Sequence, residues 1–286
     1  MLGHVVYREC SRRFDVHATV RSDELSEVAA TALDADRTIT GVHAEDISTV
    51  EQALEVSGAE VIVNCIGVVK QLTSTIGPAE MIHANALFPH QLAEICAERE
   101  VRLIHVSTDC VFSGRRGGYT EDDTPDPEDT YGRSKVLGEP AGPGVLNLRT
   151  SMIGFELESS RGLLGWLLSQ TGEVRGFTEA RFTGPTVPVV AETIAEVIER
   201  HPGLEGTWNV GAEPISKHDL VVLLRDAFGL DLKVVPDDSV KVDRTLDSSR
   251  FCAATGWTAA GWPEMVATLA EARAGRPGSR WPVARR

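Results

Sequence analysis

Tyr131-Gly132-Arg133-Ser134-Lys135 sets a phenol and an ammonium four residues apart. On a helix that spacing is one turn, so both side chains project from the same face. A phenol ionises near pH 10 and is a poor acid–base group at neutral pH. A neighbouring ammonium stabilises the phenolate and brings its proton toward the working range. Upstream, Val106-Ser107-Thr108-Asp109 closes an apolar run. A hydroxyl there can bind a substrate carbonyl or hydroxyl beside the Tyr, or only cap a strand end. Asn64-Cys65-Ile66-Gly67 closes the preceding apolar run, and Gly67 either admits close approach of a ligand or makes a simple turn.

These groups need a scaffold that brings strand ends together. Residues 16–20, 38–42, 60–66, 101–107, 145–149 and 206–211 read as strands. The runs at 60–66 and 101–107 are continuous enough for strands buried on both faces. Residues 25–33, 47–56, 79–99, 163–170, 190–200 and 216–228 have helical spacing, and another helix starts near Tyr131. Asp46 and Ser216 are candidate N-caps, Asp219 sits where a capping box needs it, and Pro89 should interrupt the long helix. Regular alternation of strand and helix predicts an α/β fold with a Rossmann-like doubly wound parallel sheet. Its ligand sits at the carboxyl ends of the strands. After Ser151 the alternation weakens, so the division is a nucleotide-binding part at 1–150, a smaller and less regular substrate lobe at 151–272, and a basic tail at 273–286.

Composition narrows the class. Lys plus Arg is 28 and Asp plus Glu is 42, for a formal charge of −14 over 286 residues. That balance argues against non-specific nucleic-acid binding, although a local site can oppose the global sign. With 42% hydrophobic residues the chain is too apolar for disorder, yet it has no run long enough to span a bilayer. Five cysteines without C-x-x-C spacing point to reduced thiols, a cytoplasmic setting and no metal site. The eight histidines are scattered without a ligand-like cluster, and Trp208, Trp257 and Trp262 read as packing for the second lobe.

Taken together, these residues resemble the extended short-chain dehydrogenase/reductase superfamily, and within it the dTDP-4-dehydrorhamnose reductase family. The resemblance rests on the blocks 107–114, 131–139 and 148–151, with support from Asn85-Ala86-Leu87-Phe88-Pro89 and from 243–250, and it covers the chain to about residue 270. It implies NADPH-dependent reduction of a nucleotide-linked 4-keto-6-deoxysugar, with NADH as a second candidate cofactor. Hydride would pass to the sugar carbonyl carbon, Tyr131 would protonate the developing alkoxide, and Thr108 would hydrogen-bond the reacting oxygen. Lys135 would lower the Tyr pKa and hold the nicotinamide ribose. Gly3, Asp46, Ile47, Asn64, Cys65 and Gly67 fall on the cofactor side. Ser107, Asp109, Cys110, Met152 and Arg244 fall on the substrate side. Arg244, Asp247 and Arg250 either touch the substrate diphosphate or cap a loop. A homodimer is compatible with the family pattern.

Three departures qualify what the resemblance implies. Cys110 stands where the family usually has Tyr, and Met152 where it usually has Trp; both belong to the sugar pocket, which leaves the sugar open. Met1-Leu2-Gly3-His4 resembles the end of the family's Gly-x-x-Gly-x-x-Gly turn, with Gly3 as its last glycine. The expectation is a sheet without the first strand, two exposed strand edges, and either an internal start of a longer chain or a truncation that impairs cofactor binding. Arg21-Ser22 follows the strand at 16–20, where NAD enzymes prefer an acid, so the 2′-phosphate of NADP is favoured unless Arg21 is only a surface residue. Two other readings share the scaffold: a nucleotide-sugar epimerase or dehydratase, and a non-catalytic dinucleotide-binding regulatory subunit.

Overall fold

The computed structural model describes residues 1–70 and 75–274. Its centre is a parallel sheet of four strands, β3 (Val61–Asn64), β4 (Arg102–Thr108), β5 (Val145–Thr150) and β8 (Gly206–Asn209), in that order. Two shorter strands, β1 (Ala18–Thr19) and β2 (Thr38–Ile39), pair in parallel as a sheet of their own. Among the described residues β1 has no ladder partner besides β2, and β3 none besides β4. The two sheets still share their packing: Val16, Val61 and Val63 join one apolar cluster, and Ile39 and Ile62 another. Because β3 lies at the edge of its sheet, Val61, Ile62 and Val63 are half-buried, where the sequence predicts burial on both faces.

Helices cover both sides. On one face α1 (Gly3–Cys10) and α7 (Val187–Arg200) pack over Ile104, Leu146 and Leu148. On the other, α2 (Ile47–Ser57) and α4 (Phe88–Glu98) pack over Leu103 and Val145. Asp46 caps α2 by accepting the Ser48 N–H at 3.1 Å. The long helix at 79–99 is α3 (Pro78–Ile82), a π-helical turn over His83–Leu87, then α4. The break therefore precedes Pro89, which sits in the first turn of α4, where its missing N–H costs nothing.

The helix expected at 25–33 does not form. That stretch is a series of turns with a single 3-10 turn at Ala29–Thr31, where the Ser26 hydroxyl takes the Ala29 N–H at 3.1 Å. Ala29 is the one buried residue of that turn and Val28 is exposed, so no apolar face is buried to offset the cost of nucleating a helix.

Beyond β5 the chain builds a second apolar core from α6 (Leu163–Leu168), β6 (Gly172–Phe177), β7 (Ala180–Phe182), α8 (Lys217–Ala227), β10 (Leu232–Asp237) and α10 (Trp262–Ala274). Ser216 caps α8 through the Asp219 N–H at 3.0 Å and donates to the Asp219 carboxylate at 2.8 Å. β6 pairs in parallel with β10, while β7 lies between β9 (Ile215–Ser216) and β11 (Val242–Asp243). The chain does not stay in this lobe: α7 and β8 return to the first sheet, and Phe251 of α9 (Ser249–Thr255) plugs its core. Trp262 packs the second core as expected, but Trp208 and Trp257 belong to the first. Residues 275–286, most of the basic tail, lie outside the described residues, and Arg273 falls within α10.

Candidate active site

The site forms where the carboxyl end of β4 meets α5 (Thr130–Leu137). Thr108 ends the strand and caps a 3-10 turn, accepting the Cys110 N–H at 3.1 Å while its hydroxyl faces Asp109 Oδ1 at 3.2 Å. Asp129 caps α5 by accepting the Gly132 N–H at 2.7 Å, and Lys70 ties down its other oxygen at 2.6 Å. Two glycines let α5 lie flush. A Cβ on Gly132 would overlap the Cys110 carbonyl, and one on Gly138 the Asn85 carbonyl. The π-helical turn aims Asn85 at this seam. Its Oδ1 accepts the Val68 N–H at 2.8 Å, and its Nδ2 donates to the Val68 carbonyl at 2.9 Å and to Ser134 Oγ at 3.2 Å. A π turn commonly marks such a functional seam.

The Tyr131 phenol lies close enough to Thr108 for that hydroxyl to act on its proton, so the two residues singled out for protonation and carbonyl binding are brought together. Lys135 does not complete the arrangement as expected. Its Nζ donates to the Val106 carbonyl at 2.9 Å and lies 3.2 Å from His105 Nε2. Burial lowers its pKa to about 8, against the pull of Glu139. The Tyr131 phenol is raised above its ordinary value by burial, and next by Cys110, with Thr108 acting the other way. Lys135 is engaged with β4 and is not among the main influences on the phenol, although the spacing suggests that it lowers it. Cys110 is pushed up to about 12 by burial and by Asp109, which keeps the thiol neutral beside the phenol.

Ser107 faces the other way from Thr108. Its hydroxyl donates to Glu139 Oε1 at 2.6 Å, and Arg149 grips the same carboxylate with Nε at 2.9 Å and Nη2 at 2.7 Å. Asn64 is likewise turned into the sheet, where its Nδ2 lies 3.0 Å from His105 Nδ1. Gly67 follows on the exposed loop, with room for a Cβ only 3.2 Å from Asn85 Oδ1. Gly3 opens α1 opposite Cys65, and Met152 is half-buried against the first core. Arg21 and Ser22 are exposed after β1; Asp46 and Ile47 begin α2.

Arg244 of the second lobe reaches the strand-end loop, donating through Nε to the Phe112 carbonyl at 2.9 Å. Its companions do structural work: Asp247 accepts the Ser249 N–H at 2.8 Å, and Arg250 stacks on Trp208 at 4.2 Å. Sequence reading missed Lys217. Its ammonium lies 3.4 Å from the centre of the Phe182 ring, and burial lowers its pKa to about 8 while Asp109 and Cys110 oppose that shift. The signal available was a lysine next to the Ser216 cap, at a helix start where cations are disfavoured. Among the described residues no cluster of His, Cys, Asp and Glu could hold a metal ion, and no helix is long and apolar enough to cross a membrane.

The residues also fit a dinucleotide. α1 starts without a capping side chain and without an acid in its first turn, a helix end suited to face an anion. Arg21 forms no ion pair among the described residues.

Comparison with known proteins places this geometry in context. The model of the RmlD substrate binding domain matches residues 2–249. A probable low-salt glycan biosynthesis reductase, Agl14, of Haloferax volcanii is 29% identical over 262 residues, covering 87% of this chain and 84% of its own. The dTDP-4-dehydrorhamnose reductase of Mycobacterium tuberculosis is 39% identical over 87 residues, 29% of either chain. The Bacillus anthracis dTDP-4-dehydrorhamnose reductase, solved in complex with NADP, superposes with a TM-score of 0.71 at 18% identity, over 89% of this chain and 97% of its own. At that identity the likeness establishes the Rossmann-like fold.

Proposed function

Since the chain belongs to the RmlD substrate-binding domain family, we propose that it is an NADPH-dependent reductase of a nucleotide-linked 4-keto-6-deoxysugar. The observation that carries this reading is the meeting of Thr108 and Tyr131 where the carboxyl end of β4 reaches α5, with Lys135 one turn along the same helix. The bound nicotinamide supplies the hydride. The protein's part is proton management and positioning. Thr108 orients the ketone oxygen by hydrogen bonding and holds it against Tyr131. The phenol, protonated because it is buried, gives its proton to the oxygen as negative charge develops there. Cys110 and Met152 shape the wall around the sugar, and their small or flexible side chains suit a sugar face that is not flat. Lys217 and Arg244 bring cations from the second lobe to an acidic protein that must draw an anionic substrate.

Cofactor residues follow the same logic. Gly3, Cys65 and Gly67 border the phosphate path, and Asp46 and Ile47 the adenine. Arg21 and Ser22 recognise the 2′-phosphate, which favours NADPH over NADH. Net consumption of added NADPH against a panel of 4-keto nucleotide sugars tests the reading. Turnover without net cofactor oxidation would indicate an epimerase or dehydratase instead. Nucleotide binding without any turnover would indicate a regulatory subunit.

A further inference from the structure

His105 has no role in the reading above, yet it is fully buried beneath the site at 0% exposure. It lies in a row of polar side chains that crosses the sheet, one from each strand: Asn64, His105, Asn147 and Thr207 are paired in register. Hydrogen bonding fixes the order of protons along that row. The Ile66 N–H donates to Asn64 Oδ1 at 3.0 Å, which turns the amide Nδ2 toward His105 Nδ1, 3.0 Å away. An amide NH2 can only donate, so Nδ1 must be the acceptor. A neutral imidazole then carries its proton on Nε2, and Nε2 faces the Lys135 Nζ at 3.2 Å. An ammonium has no lone pair to receive that proton, whereas an amine does.

We propose that Asn64 and His105 are positioning residues that set the proton state of Lys135: Asn64 holds His105 in the Nε2–H tautomer, and His105 then admits Lys135 to its inner position as the neutral amine. The amine accepts from Nε2–H and donates to the Val106 carbonyl. A charged Lys135 in the same place leaves one donor facing a donor, whichever tautomer His105 adopts, and buried conflicts of that kind are costly. The other charged groups around Lys135 do not reverse this. Glu139, beyond the end of α5, favours the ammonium but is claimed by Arg149 of β5 and by Ser107. His90 of α4 is tied to the Leu137 carbonyl at 2.7 Å and adds only to the pressure that keeps His105 neutral. Tyr131, on the helix itself, is kept protonated by burial. Burial acts in the same direction on Lys135.

The inference rests on Lys135 being the group that turns to the cofactor. Leaving His105 for an anionic nucleotide frees the amine to take a proton from solvent, so NADPH binding is coupled to proton uptake. The test combines two measurements at pH 9 on the full chain and on Asn64→Asp. Nitrogen NMR of histidine-labelled protein, with His105 assigned by its loss in His105→Gln, reads the tautomer. Calorimetry of NADPH binding in buffers of different ionisation enthalpy reads the protons taken up. The native chain should carry the His105 proton on Nε2 and take up a proton on binding. In Asn64→Asp the carboxylate accepts from Nδ1–H, leaving Nε2 to accept from the Lys135 ammonium. The tautomer should therefore invert, and the uptake should fall by half or more. A native His105 proton on Nδ1, or equal uptake in both proteins, overturns the proposal. Failure of NADPH to bind refutes the cofactor reading instead, while the tautomer still decides the role of Asn64.

Discussion

The two faces of the four-stranded sheet are made from alternate residues of the same strands, and they are unlike in kind. Toward α1 and α7 the rows run Val63, Ile104, Leu146 and then Val106, Leu148, Trp208, apolar along most of their length. Toward α4 and α5 the first row is also apolar, Ile62, Leu103 and Val145. The next is the polar row through His105, and the one after it holds Ser107, Arg149 and Asn209. Polarity on that face thus increases toward the carboxyl ends of the strands, where α5 delivers Tyr131 and Lys135. One face supplies burial free energy. The other gives up some of it, since buried polar rows are stable only when their hydrogen bonds are satisfied, and in exchange fixes proton positions.

Four substitutions test this contrast and the site it leads to. Tyr131→Phe removes the proton donor and should lower kcat by about 10²–10⁴-fold. NADPH affinity and the unfolding midpoint should barely move; substantial turnover in this variant would show that the polar face is not where the chemistry lies. Leu148→Ala, on the apolar face, should destabilise the fold by about 2–5 kcal/mol in urea unfolding. Turnover per folded molecule should be unchanged, and a specific loss of activity would blur the contrast. Lys217→Met leaves the fold intact and removes a cation facing the substrate side. It should raise KM about tenfold, the size expected for one charge-assisted contact, with kcat retained.

The smallest effect is on acid stability. Burial, above all, holds the His105 pKa well below 6.5. As pH falls below 6.5 the unfolded chain binds a proton that the folded chain refuses, so stability declines until the folded value is reached. The slope from this group is at most about 1.4 kcal/mol per pH unit. His105→Gln should flatten that part of the stability profile, measured by unfolding between pH 7 and pH 5. An unchanged slope would mean that His105 does not resist protonation.

Much of the apolar face was legible in the sequence. Continuous apolar runs located β3 and β4, strand-like spacing located β5, and helical spacing located α2, α4, α7 and α8. Tyr131, Lys135 and Thr108 were legible because each sits inside a short motif whose chemistry is local. The polar row was not. Asn64, His105, Asn147 and Thr207 come from four strands separated by helical crossovers, and strand register across parallel neighbours leaves no mark in a linear sequence. A histidine inside the apolar run at 101–107 reads as core, which it also is. Lys217 was hidden for a related reason: its partners Asp109 and Phe182 are brought near by the second lobe. The failed helix at 25–33 had the spacing but lacked an apolar surface to pack against.

The path of β8 has a consequence for how the protein comes into being. The strand beside β5 is not made until residue 206, after α6, β6, β7 and α7 have all emerged from the ribosome. Until then β5 offers an unpaired edge, and Leu148 waits for Trp208 to cover its neighbour position in the sheet. A nascent chain ending at Thr150 therefore holds Tyr131 and Lys135 but not the strand that closes their sheet. Pairings of such long sequence separation form late and slowly, so the whole chain is the unit that reaches a working site, and its first half is the part most in need of shelter on the way.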